Sequence, residues 1–225
     1  MFDVACDHDR RFRFEAERAA LLVIDMQRDF IAKGGIAAES GENVAAAQAI
    51  VPNVQRVLHA AREHGLLVVH TREGHEPDLS DLNPSKQERS SAAGGEIGAK
   101  GPLGRFLVRG EYGHDFVDEL QPIEGEPVID KSGFGAFHAT DLQERLRIRG
   151  ITHLLVTGVT TQCCVFSTLR EAVDRGYYCL TIKDGTAAFD PYLHEATMIM
   201  IASEGHLFGW IGDSARLLAA MNART

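Results

Sequence analysis

The sequence predicts one α/β domain, doubly wound, with a parallel sheet of about six strands and helices on both faces. Three observations predict it. Short, wholly apolar runs alternate with segments whose apolar residues recur at helical spacing. The apolar runs are continuous rather than alternating, as in strands covered on both faces. The 225 residues contain no internal repeat, low-complexity tract or linker, so a single domain over 1–225 is expected.

The first strand is AALLVID, residues 19–25. Residues 44–64 follow as a helix, apolar at Ile50, Val54, Val57, Leu58 and Ala61 and stopped by Gly65; Pro52 predicts a start or kink nearby. Residues 66–71 (LLVVHT) are the second strand. A polar stretch rich in Gly, Pro and Ser then runs from about 73 to 104, and a loop of that length points to a lid or a contact between subunits. Strand three is EPVIDK, 126–131, and Thr140 with Gln143 suggests a capping box on the next helix. Strand four is HLLVTGV, 153–159; a helix over 163–175 is stopped by Gly176. Strand five spans 177–183, a helix 192–203, an edge strand 206–211 and a last helix 214–221.

With 23 basic and 32 acidic residues the net charge is −9, and no basic cluster interrupts the chain. Nucleic acids and anionic membranes reward clustered Lys and Arg, so neither is expected as a partner. No run approaches 18 apolar residues, and the charged N-terminus lacks a signal-peptide core. Four cysteines in a chain of this length do not make a disulfide framework, and adjacent Cys163 and Cys164 would bridge only with strain; a reduced, cytoplasmic setting is expected. None of the ten histidines falls into a paired metal-binding motif, and no G-x-G-x-x-G follows a strand, so neither a metal nor a cofactor is expected.

In open α/β sheets ligands bind beyond the carboxyl ends of the strands. Asp25 ends the first strand, Lys131 ends the third, and the turn carrying Cys164 follows the fourth. A thiol in the first turn of a helix is favoured as thiolate, and the free N–H groups there suit an oxyanion. Spacing alone leaves Cys164 open between a nucleophile and a small buried hydrophobe; Cys6, Cys163 and Cys179 read as the latter. Asp25 reads as a base for the thiol or as a capping residue, and Lys131 as its electrostatic partner or a surface ion pair. Asp29 reads as solvated. Cys164 and Arg170 match the C-x5-R spacing of cysteine phosphatases, but the bulky residues between them follow a helical, core-facing pattern that a phosphate loop does not tolerate.

ALLVIDMQRDF, VIDKSGFGAF and TGVTTQCCV, in this order, resemble the isochorismatase-like cysteine hydrolases over nearly the whole chain. That resemblance implies a catalytic Asp25–Lys131–Cys164 triad and a cis peptide between Val159 and Thr160. It also implies an oxyanion hole from the Thr160 and Cys164 N–H groups, and a homo-oligomer, dimer or tetramer. The segments HTREGHEPDLSDL, GEIGAKGPLGR and HATDL are most similar to the biuret hydrolases within it. Those carry a lysine where this chain has Phe134 and a glutamine where it has Glu204. The implied activity is cleavage of a terminal amide C–N bond of a small ureide, such as biuret or triuret, through a thioester with release of ammonia. Ureidoacrylate-like or N-carbamoyl amino acids are the alternative substrates. Phe30 and Phe134 are expected to wall the pocket or to pack in the core. Gln162 and Glu204 are expected to orient the substrate, Glu204 being equally readable as a surface residue at a helix end. Vinyl-ether cleavage is disfavoured by Cys164, and a non-catalytic scaffold by the intact triad.

Overall fold

A computed structural model of the chain describes residues 1–223. An N-terminal antiparallel hairpin, β1 (Phe2–Ala5) and β2 (Arg11–Phe14), precedes the main sheet; sequence patterning did not reveal it, because each strand offers only two inward side chains. β3 (Ala19–Ile24) follows, fully buried along its length. Two single-turn helices, α1 (Arg28–Ile31) and α2 (Ile36–Glu39), lead to α3 (Ala45–Glu63). This helix continues unbroken through Pro52, which sits exposed on its outer face.

β4 (Leu67–Glu73) runs two residues further than its apolar run, and these two place Glu73 at the carboxyl end of the sheet. The stretch after it is structured rather than loop: α4 (Pro84–Ala92) begins with Asn83 accepting the Lys86 N–H, and a small hairpin pairs β5 (Lys100–Gly101) with β6 (Gly104–Arg105). β7 (Val128–Lys131) and α5 (Leu142–Ile148) come next. The expected capping box is not formed there: Thr140 accepts the Leu142 N–H, and Asp141 holds the N-cap position without a side-chain bond. β8 (His153–Val159), a π-turn over Thr161–Val165 and α6 (Phe166–Asp174) replace the single helix expected from 163. β9 (Tyr178–Ala187), α7 (Pro191–His206), β10 (Trp210–Gly212) and α8 (Ser214–Asn222) complete the chain, with α7 broken at Ser203–Gly205.

The main sheet has six parallel strands in the order β10-β9-β8-β3-β4-β7. Alternate residues of β3 feed opposite layers, as a two-residue side-chain period requires. Ala19, Leu21 and Val23 join α3 and α8 on one face; Ala20, Leu22 and Ile24 join α5, α6 and α7 on the other. The chain builds outward from β3 through β4 to β7, then returns to lay β8 on the other side of β3. That reversal opens a crevice at the carboxyl ends of β3 and β8, the position where ligands bind in such sheets.

Candidate active site

Asp25 leaves β3 in a left-handed backbone conformation (φ 51°), which aspartate tolerates better than most residues. The turn is held by Thr71, whose carbonyl accepts the Asp25 N–H at 3.1 Å and whose hydroxyl donates to Oδ1 at 2.5 Å. Asp25 Oδ2 lies 2.7 Å from Lys131 Nζ, and neither side chain reaches solvent. Burial pushes the Asp25 carboxyl above its ordinary range, and the ammonium only partly offsets this. Burial disfavours the Lys131 ammonium too, but Asp25, Cys164 and Glu73 outweigh it and raise its proton affinity above that of an ordinary lysine.

Strand order explains a residue that sequence reasoning missed. β4 lies between β3 and β7, so its last residue must stand between Asp25 and Lys131. That residue is Glu73, which pairs in register with Lys131. Buried Gln27 clamps it: Gln27 Oε1 accepts the Glu73 N–H at 2.7 Å, while Gln27 Nε2 donates to the Glu73 carbonyl at 2.9 Å. Glu73 Oε1 is 2.6 Å from Lys86 Nζ, and Oε2 is 3.7 Å from Lys131 Nζ. Burial raises the Glu73 carboxyl, but the two ammonium groups outweigh it and hold the pKa below the ordinary value. Lys86, also missed, reaches in from the first turn of α4 and donates to the Ser132 carbonyl at 2.7 Å. Only the REGH run after the second apolar strand pointed to Glu73, and it was legible only with the strand order known.

Cys164 lies in the π-turn after β8 and is 4% exposed. Its thiol donates to Glu73 Oε2 at 3.1 Å. The neighbouring Cys163 thiol and burial push the Cys164 thiol well above its usual range despite the Lys131 charge. Burial and the facing Glu73 carboxylate thus favour the thiol form over the thiolate expected from a helix N-terminus. Asp25, Glu73 and Cys164 bring donor atoms within 4.8 Å of one another, and the cations that answer them come from the chain itself, Lys131 and Lys86. The peptide between Val159 and Thr160 is cis. Within the π-turn the Cys163 and Val165 N–H groups bond the Thr160 carbonyl at 3.0 and 3.2 Å, and the Cys164 N–H stays outside that pair.

A cavity of about 390 Å³ opens above Glu73, with Phe30, Phe134, Lys86, Arg89 and Phe189 among its walls. Phe134 thus lines it as an exposed ring, whereas Phe30 both lines it and packs against the core, and the Lys86 ammonium sits 5.3 Å from the Phe134 ring centroid. The polar segment after β4 supplies one wall, through α4 and Ile97. Gln162 is half-buried in the π-turn with Oε1 unpartnered, and it is not among the lining residues. Glu204 is a correction. It is exposed at the break in α7, which carries the chain back to the amino end of β10, so it lies at the opposite end of the strands from Cys164. Asp29 is a second correction: it is buried, accepts the Leu107 N–H at 2.9 Å, and burial raises it to about 6. Arg170 is exposed and stacks over Phe166 and Phe208, away from the thiol.

Comparison with known proteins places this geometry. The isochorismatase domain model matches residues 19–216. The ureidoacrylate amidohydrolase RutB of Cronobacter turicensis is 32% identical over 213 residues, covering 93% of this chain and 90% of its own. A solved cysteine hydrolase from Pseudomonas syringae pv. phaseolicola superposes with a TM-score of 0.79 at 24% identity, covering 94% and 95% of the two chains, and shares the fold. The N-carbamoylsarcosine amidase of Thermoplasma acidophilum superposes with a TM-score of 0.66 at 25% identity, covering 88% and 96%. The kinship expected with biuret hydrolase gives way to similarity with ureidoacrylate amidohydrolases.

Proposed function

The chain belongs to the isochorismatase family, and from that premise we propose that it is a cysteine amidohydrolase acting on small ureido or carbamoyl acids. The observation that carries this reading is the buried Cys164 thiol, set among Asp25, Glu73 and Lys131, with Glu73 joining this cluster to the wall of the adjoining cavity. The terminal amide carbonyl of the substrate enters above Cys164. The thiol proton passes to a buried carboxylate as sulfur attacks, and the oxyanion is met by the Thr160 and Cys164 N–H groups. A donor so placed contributes about 3 kcal/mol to such a step. Ammonia leaves, and water attacks the thioester with Asp25 as base. Lys131 keeps the charge of the cluster balanced throughout.

The substrate class follows from the walls and the relatives together. Lys86 is already paired with Glu73, but Arg89 puts a cationic group beside the apolar surface of the cavity, which suits a substrate with a carboxylate tail. Ureidoacrylate and N-carbamoyl amino acids carry one, whereas biuret and triuret do not. A homo-oligomer is likewise proposed, on the family resemblance, and light scattering of the purified protein measures it. No described helix is long and apolar enough to cross a membrane.

The test is ammonia release from ureidoacrylate, N-carbamoyl amino acids, biuret and triuret, with wild type and Cys164→Ser. Turnover of a carboxylate-bearing ureide, reduced at least about 100-fold in the variant, supports the reading. Undiminished turnover by Cys164→Ser overturns it.

A further inference from the structure

We propose that Glu73 is a second catalytic carboxylate, the one that takes the Cys164 proton during acylation, with Lys86 as its counter-ion. This rests on the function proposed above. The geometry singles out Glu73: the Cys164 thiol already donates to Glu73 Oε2 at 3.1 Å. Asp25 receives no bond from the thiol: Oδ1 accepts from the Thr71 hydroxyl, and Oδ2 faces the Lys131 ammonium as an ion pair. On Glu73 the far oxygen is held by Lys86, which turns Oε2 toward the sulfur. The Gln27 clamp fixes the end of β4 through both backbone groups of Glu73, so the carboxylate cannot drift from the thiol. Glu73 also lines the cavity, so the acid formed on it faces the substrate nitrogen.

The step balances within these residues. The S–H bond breaks, its proton moves to Glu73 Oε2, and the sulfur electron pair forms the C–S bond as the carbonyl π pair moves to oxygen. When the oxyanion collapses, the C–N bond breaks and Glu73 returns the proton to the departing nitrogen, which leaves as ammonia. Two carboxylates and two ammonium groups sum to zero charge with a neutral thiol; moving the proton onto Glu73 leaves the sum unchanged. A carboxyl held below its ordinary range by two cations is, once protonated, a better proton donor than an ordinary carboxylic acid, which favours departure of the amide nitrogen. Asp25, the more basic of the two, is left for the water of the second half-reaction.

The experiment pairs turnover with the pH dependence of Cys164 alkylation by iodoacetamide, followed on the Cys164 peptide by mass spectrometry. Glu73→Gln removes one anion beside the thiol, so the alkylation midpoint is expected to move down by about one pH unit or more. Ammonia release from ureidoacrylate or biuret is expected to fall about 100-fold or more in kcat/KM, because a thiolate formed without a stored proton has none for the leaving group. The double variant Glu73→Gln/Lys86→Met removes a buried charge of each sign and serves if the single variant folds poorly. Its alkylation midpoint is expected to return toward wild type while turnover stays lost. A Glu73→Gln enzyme within about threefold of wild type in kcat/KM, or an unmoved alkylation midpoint, overturns the proposal. If wild type releases ammonia from no ureide, the proposed function fails, and the alkylation midpoints alone decide the role of Glu73.

Discussion

Lys131 carries a full charge with none of its side chain in contact with solvent, and this is tolerable only because Asp25 and Glu73 face it. Removing one member of such a group leaves the others buried without a partner, which costs about 3–5 kcal/mol. Lys131→Met is therefore expected to lower the melting temperature by roughly 10 °C, and Lys131→Met/Asp25→Asn to recover part of that loss; thermal unfolding followed by circular dichroism checks both. A Lys131→Met protein as stable as wild type would mean that Asp25 is protonated in the fold. At this scale Asp25, Lys131 and Cys164 were legible because each closes an apolar run or opens the segment after one. Glu73 and Lys86 were not. The register of β4 hides the first, since its apolar residues stop two positions early, and Lys86 enters from a helix that begins in a polar stretch with no core-facing pattern.

Two elements hold the sheet in shape, one at the crevice and one at the opposite end. Gly158, the penultimate residue of β8, has φ +119°, and a Cβ there would collide with the Ile24 carbonyl at the end of β3. Both the backbone angle and the overlap oppose any side chain, so Gly158→Ala is expected to cost about 3 kcal/mol or more, read from urea unfolding, and to lower turnover by shifting the Cys164 turn. The other element is the entry to β7. Glu126 pairs there with Arg62 of α3 at 2.8 Å and with His70 of β4 at 3.0 Å. Burial pushes the Glu126 carboxyl up, but the hydrogen bonds from Arg62 and His70 outweigh it and hold it at about 2, against 4.5 when unperturbed. A depressed carboxyl stabilises the fold above its unfolded pKa and loses that contribution as pH falls. The wild type is thus expected to lose about 3 kcal/mol between pH 4.5 and 2 that Glu126→Gln does not lose, measured by unfolding across that window. Equal acid sensitivity in the two proteins would contradict this. The strands and long helices were readable from their apolar period, whereas α4 and the β5–β6 hairpin were not. The residues of α4 cover a cavity rather than a core, so they carry polar and charged side chains that look like loop, and the hairpin has only two residues in each strand.

At the scale of the whole chain, the parallel sheet and its two helical layers follow from continuous apolar strands, but strand order does not. The return of the chain to lay β8 beside β3 is a tertiary event, and it alone brings Cys164 to Asp25 and leaves β4 as the bridge to Lys131. For the same reason the sequence leaves Glu204 open between a substrate contact and a surface residue at a helix end: nothing in the local pattern of α7 tells which end of the sheet its last turn reaches, and the structure shows the second. The proposed chemistry requires that Cys164 form a thioester above this buried charge cluster, with its neighbour Cys163 remaining free. Rapid acid quench of the enzyme turning over a ureide, followed by peptide mass spectrometry, tests that most directly. The expected result is an acyl adduct on Cys164 that decays as ammonia-depleted product appears. Turnover with no adduct on Cys164, or with the adduct on Cys163, would contradict it.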